Sequence, residues 1–146
     1  MTDTSQSETR TAHLRYAGAE AFVGESQSGH AIVTGFAHDN ATSATPMELI
    51  LIALGGCSGA DVVTVLAKKR QKFTSYEIVV TAERRAEHPR IYTSIEVLHR
   101  VRGRGVDPKA VNHAVELSET KYCSVSAMLS HAAVITSKVE VLEDEP

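Results

Sequence analysis

The residues of this chain best suited to chemistry are its two cysteines, Cys57 and Cys123. Cys57 follows Leu54-Gly55-Gly56 inside a long apolar segment, and Cys123 follows Lys121-Tyr122 and opens the run Ser124 to Leu129. Reactivity more often than packing explains why a thiol is kept. Two thiols on helical segments beside turn or cap residues invite a redox reading, in which one sulfur is oxidised and the other closes a disulfide. Their spacing matches no C-x-x-C zinc or thioredoxin pattern. Taken singly, each has a plainer meaning. Cys57 alone reads as an inert core thiol, and Asp61, one turn later, disfavours its thiolate if the two share a face. Cys123 alone reads as a half-buried junction residue. With Ser124 as cap, though, the free N–H groups of the following helix would face its sulfur and stabilise a thiolate.

Other chemistries find little support. The seven histidines are scattered, with no His or Cys partner at i+3 or i+4, so no metal site is expected. No G-x-S-x-G, P-loop or dinucleotide fingerprint occurs. A formal net charge of −3 gives no reason to expect nucleic acid. The basic group Lys68-Lys69-Arg70 with Lys72 suits a helix C-terminus. The opening Met1 to Glu8 lacks an apolar signal region, and the longest uncharged apolar run, Leu49 to Ala60, falls short of the ~20 residues of a bilayer span. No membrane partner and a reducing cytoplasmic setting are therefore the expectation, one that permits a transient catalytic disulfide.

The elements that must position the thiols can be read from periodicity and turn residues. Apolar content of 42% and charged content of 23% place the chain among folded globular proteins. Residues 1–10 read as a disordered tail and 11–146 as one domain. Strands are predicted at Thr11–Tyr16, Ala21–Gly24 and Ala31–Phe36, followed by a polar loop at Asn40–Ala44. Thr45-Pro46 opens a helix running to about Gln71, because a cap residue precedes a proline whose missing N–H costs nothing there. Glu48 suits the positive end of its dipole. Gly55, Gly56 and Gly59 are poor helix formers and imply a close approach or a kink beside Cys57. Strands Tyr76–Glu83 and Ile91–Val101 flank a turn at His88-Pro89. Asp107-Pro108 starts a helix ending near Tyr122, Ser124–Ala133 forms another, and Val134–Leu142 closes the chain as a strand. This order is an α+β arrangement with an antiparallel-type sheet and one central helix.

Thr45-Pro46-Met47-Glu48-Leu49, then Ala53-Leu54-Gly55-Gly56-Cys57, with Lys121-Tyr122-Cys123-Ser124-Val125-Ser126 far downstream, together resemble the OsmC/Ohr family. These are the osmotically inducible protein C and organic hydroperoxide resistance proteins, and the likeness is greatest to the YhfA-like branch. It runs from about residue 13 to 142. The resemblance implies an OsmC-like fold, with antiparallel sheets wrapped around long central helices in an intertwined homodimer, and active sites at the subunit interface. It implies that Cys57 attacks an organic hydroperoxide and that Cys123 resolves the sulfenic acid as a disulfide. An external dithiol then restores the enzyme, without a bound cofactor.

Two positions depart from the peroxidase pattern. Where those members carry Glu after the helix-opening proline, this chain has Met47, with Glu48 about 100° further round the helix. Both are candidate substrate-binding residues. The hairpin turn Ala17-Gly18-Ala19-Glu20 holds no arginine, and a cation there would lower a neighbouring thiol pKa. The alternative is a dimer of the same fold that senses redox state or binds a small apolar ligand without turnover.

Overall fold

A computed structural model describes residues 6–36 and 42–145. Residues 6–10 of the expected tail are exposed and without regular structure, and 1–5 lie outside the described residues. The chain separates into two compact units, residues 1–49 and 50–146.

In the first unit β1 (Ala12–Gly18), β2 (Ala21–Ser26) and β3 (Ala31–Gly35) form an antiparallel meander in that order, so the three expected strands are present. The β1–β2 loop is Ala19-Glu20, with φ of 50° and 60°. Left-handed backbone at both loop positions matches the twist of the flanking strands. Asn40 and Ala41 of the expected polar loop lie outside the described residues, while Ala44 bridges Thr34.

The helix α1 (Pro46–Lys68) begins in this unit with a capping box. Thr45 N–H donates to Glu48 Oε1 at 2.9 Å, and Glu48 N–H donates to Thr45 Oγ1 at 3.2 Å. The far end stops earlier than Gln71. Arg70 adopts φ 55°, its N–H donates to Ala67 O (3.0 Å), and Gln71 N–H donates to Leu66 O (2.9 Å). That double closure ends a helix because it consumes the carbonyls a further turn would need.

In the second unit β4 (Ser75–Arg84) pairs antiparallel with β5 (Tyr92–Arg102), and β6 (Val134–Leu142) pairs parallel with β5. The antiparallel expectation is thus corrected: this sheet is mixed. The chain leaves β5 and returns through α2 (Pro108–Leu117) and α3 (Ser124–Leu129), a crossover long enough to bring β6 back in the same direction. Val62 and Leu66 of α1 pack with Val101, Val106, Val111 and Val115 as the core. The α1 glycines face side chains, not backbone. A Cβ on Gly59 would lie 2.7 Å from Ile78 Cδ1, and one on Gly55 3.3 Å from Val80 Cγ2, while Gly56 faces open space. Gly55 and Gly59 therefore let α1 settle against the side chains of β4.

His99 of β5 is fully buried, its Nδ1 2.5 Å from Tyr76 Oη, and its Nε2 has no partner among the described residues. Burial pulls its pKa down to about 4 and pushes the Tyr76 phenol upward, so a neutral ring is paired with a neutral phenol. An unfolded histidine titrates near ~6.5. Between these values the unfolded chain binds more protons, so stability falls as pH drops from about 6.5 to about 4 and is level above. The loss is at most roughly 3 kcal/mol. Urea unfolding at pH 7.5 and pH 4.5 should show this slope in the native chain and a flatter one in His99→Phe; equal slopes in the two would refute the assignment.

Candidate active site

The helical repeat places Cys57 and Asp61 one turn apart on the same face of α1. Cys123 reaches that face from the α2–α3 junction. The helix expected to run to Tyr122 is α-helical only to Leu117, then widens into a π turn over Ser118–Tyr122, closed by Cys123 N–H donating to Ser118 O at 2.8 Å. Such a turn inserts one residue per loop and re-aims the residues after it; π turns are frequent at functional sites. Here it delivers Cys123. The two sulfurs and a carboxylate oxygen of Asp61 all lie within 4.8 Å of one another. Both thiols are free, Cys57 half-buried and Cys123 buried.

The cap of α3 is Cys123 itself, not Ser124 as expected. Its sulfur accepts the Ser126 N–H at 3.3 Å. That bond favours a thiolate but is outweighed. Burial first, then the neighbouring Cys57 and Asp61, push the Cys123 thiol up to about 11. Cys123 is thus protonated at neutral pH, and the anticipated thiolate stabilisation by the helix start does not prevail.

Asp61 is the member of the cluster whose importance the sequence hid. Ser118 Oγ donates to its Oδ2 at 2.8 Å and lies 3.4 Å from Ser58 Oγ. Ser118 is fully buried and Ser58 nearly so. The available signal was a serine at 118, where the apolar repeat of Val111, Ala114 and Val115 calls for another apolar residue. Asp61 also lines a cavity of about 360 Å³ with Thr64, Val65, Lys68, Lys69, Leu117 and Tyr122. A second cavity, about 500 Å³, is walled by Leu51, Ile52, Gly55, Gly56, Tyr76, Ile78 and Val80. It opens beside the segment carrying Cys57 and is apolar.

Of the candidate substrate-binding residues, Glu48 is occupied by its cap, which holds its carboxyl below the usual range through hydrogen bonds with Thr45. Met47 is half-buried in the same first turn.

An α+β chain of this topology carrying a paired-thiol cluster defines a class of thiol proteins, and comparison gives the family. The family model described as OsmC-like protein matches residues 38–138. Protein YhfA of Escherichia coli K12 is 46% identical over 132 residues, covering 90% of this chain and 97% of that one. A hypothetical protein from Aquifex aeolicus superposes with a TM-score of 0.85 at 35% identity, covering 95% and 100% of the two chains. The organic hydroperoxide resistance protein OhrB of Bacillus subtilis shares the fold at a TM-score of 0.65 and 14% identity, covering 91% and 98%. This chain belongs to the OsmC-like family.

Proposed function

We propose that the protein reduces organic hydroperoxides with its two thiols. The observation that carries this is the approach of Cys57, Cys123 and Asp61 within 4.8 Å. Cys57, the more exposed sulfur, is the attacking thiol. Its thiolate takes the distal oxygen of the hydroperoxide, the O–O bond breaks, and the alkoxide leaves as the alcohol after accepting a proton. Asp61, held by Ser118, is placed to pass that proton on from the thiol. The Cys57 sulfenic acid is then attacked by the Cys123 sulfur, forming the S–S bond and releasing water. Cys123, buried in the same cluster, is the sulfur within reach of that sulfenic acid. An external dithiol reduces the disulfide. The apolar groove beside Gly55 and Gly56 suits an apolar hydroperoxide, and Met47 and Glu48 are proposed as further substrate contacts.

The working form is proposed to be a homodimer. At 23 residues, with a mean hydropathy of 2.0 over its most apolar 18-residue stretch, α1 is long and apolar enough to cross a bilayer by length and composition, more so than its uncharged run suggested, because the apolar pattern resumes past Asp61. Only a third of that stretch is buried within one chain. Ile52, Gly56, Ala60 and Val63 form an exposed apolar line on it. Such a line calls for cover, and a second copy supplies it.

Treatment of the reduced protein with one equivalent of an alkyl hydroperoxide should lower the intact mass by two hydrogens, and neither Cys57→Ser nor Cys123→Ser should show that loss. An unchanged mass in the wild type would defeat the proposal. Sedimentation at the mass of a single chain would defeat the dimer.

One feature favours a second reading. An aspartate lies beside the two sulfurs, and the β1–β2 loop Ala19-Glu20 carries no arginine. A dimer that only senses oxidation or holds a small ligand would form the disulfide once and show no sustained turnover with excess dithiol.

A further inference from the structure

We propose that the reduced cluster Cys57–Asp61–Cys123 is a binding site for a thiophilic divalent cation of the zinc type, completed by water. The inference rests on the dithiol reading above for its meaning, because the same sulfurs that react with peroxide hold the metal. The binding itself needs only the reduced cluster.

The donor set points to the metal. Two sulfurs and one carboxylate oxygen, with a fourth position open to solvent, are the ligands of a tetrahedral zinc centre of the open kind. Zinc–sulfur bonds of about 2.3 Å and zinc–oxygen bonds of about 2.1 Å put tetrahedral ligand atoms roughly 3.4–3.8 Å apart. The three donors already lie within 4.8 Å of one another, so closing around an ion needs shifts of an ångström or so, within the reach of side-chain torsions. Cys57 and Asp61 are presented from one face of a single helix, and Cys123 comes from the facing junction.

The supporting hydrogen bonds are those a metal ligand needs. Ser118 Oγ donates to one oxygen of Asp61 at 2.8 Å and so orients the carboxylate. The Ser126 N–H, 3.3 Å from Cys123 Sγ, supplies the donor that orients a bound thiolate. Among the described residues no lysine, arginine or histidine forms an ion pair with Asp61. A dication would offset two of the three negative charges that the ligands carry once both thiols have lost their protons. The cavity lined by Asp61, Thr64 and Tyr122 adjoins the carboxylate side of the cluster.

Binding displaces the two thiol protons to solvent and forms two metal–sulfur bonds and one metal–oxygen bond, with no change of oxidation state. Disulfide formation consumes both sulfurs as ligands. Metal occupancy and the disulfide are therefore mutually exclusive, and oxidation releases the ion.

Cobalt(II) is the probe. Titrated anaerobically into the reduced full-length protein, it should give the near-ultraviolet sulfur-to-cobalt charge-transfer band and intense visible bands of a tetrahedral thiolate site. Saturation is expected at one ion per chain, with zinc displacing cobalt. Cys57→Ser and Cys123→Ser should each lose the charge-transfer intensity. Asp61→Asn, which keeps an oxygen for Ser118, should weaken binding at least about tenfold while leaving the circular dichroism spectrum unchanged. Absence of the band, a ratio of one ion per two chains, or an Asp61→Asn affinity equal to wild type would overturn the proposal. Diamide, which oxidises thiol pairs directly, should bleach the signal. Bleaching by diamide but not by alkyl hydroperoxide would leave the metal site standing and remove the peroxidase reading.

Discussion

Cys57→Ser is expected to abolish hydroperoxide consumption, a loss of about a thousandfold or more, measured with cumene hydroperoxide and a dithiol reductant. Serine keeps the shape of the side chain but not the nucleophile, so little else should change. Cys123→Ser should behave differently. Without added dithiol it should consume one equivalent and stop at the sulfenic acid, because Cys57 then has no partner sulfur, and a dimedone adduct on Cys57 should record it. The asymmetry comes from the environments of the two thiols. Cys123 is 3% exposed and burial pushes its thiol up to about 11, so at neutral pH it is held as the thiol. Cys57 is more open to an incoming peroxide. Full turnover in Cys57→Ser, or an adduct that appears on Cys123 instead, would reverse the roles or remove the mechanism.

Gly103→Ala is expected to destabilise the fold by about 2–3 kcal/mol, roughly 10 °C in melting temperature. A single methyl has this effect because of what surrounds the position. Its carbon would lie 2.8 Å from Lys72 O, 2.8 Å from Val106 Cγ2 and 2.9 Å from Phe73 Cα. Two of the three are backbone, which no side-chain rotation relieves. Gly103 also donates its N–H to Leu142 O at 3.1 Å, so shifting it strains the β6 end of the sheet. Gly105→Ala is the comparison: it has open space around its Cβ but φ of 64°, so its cost is backbone strain alone, about 1 kcal/mol. Similar thermal melts for the two variants would show that the crowding at Gly103 is relieved at little cost.

Much of the fold was legible in the chain. Turn residues and, in the later strands, alternation placed all six strands to within a few residues. Thr45-Pro46 and Asp107-Pro108 marked two helix starts, because unsatisfied N–H groups select those residue types. The parallel pairing of β6 was not legible. Register and direction depend on where a crossover returns, and no local pattern encodes that. The break of α2 at Leu117 was hidden for a related reason: Ser118 to Tyr122 is compatible with ordinary helix, and only the docking of Ser118 onto Asp61 distinguishes the π turn.

The sequence by itself determined that one thiol lies within a long apolar helix and the other at the start of a late helix, and that Asp61 follows Cys57 by one turn. These follow from spacing along one element, where 3.6 residues per turn leave little freedom. Tertiary structure decided the rest: that Cys123 arrives within reach of Cys57, that it caps its own helix, and that burial overrides that cap. Those outcomes turn on distances between residues remote in sequence and on how much water their packing excludes, and such quantities exist only once the chain has folded.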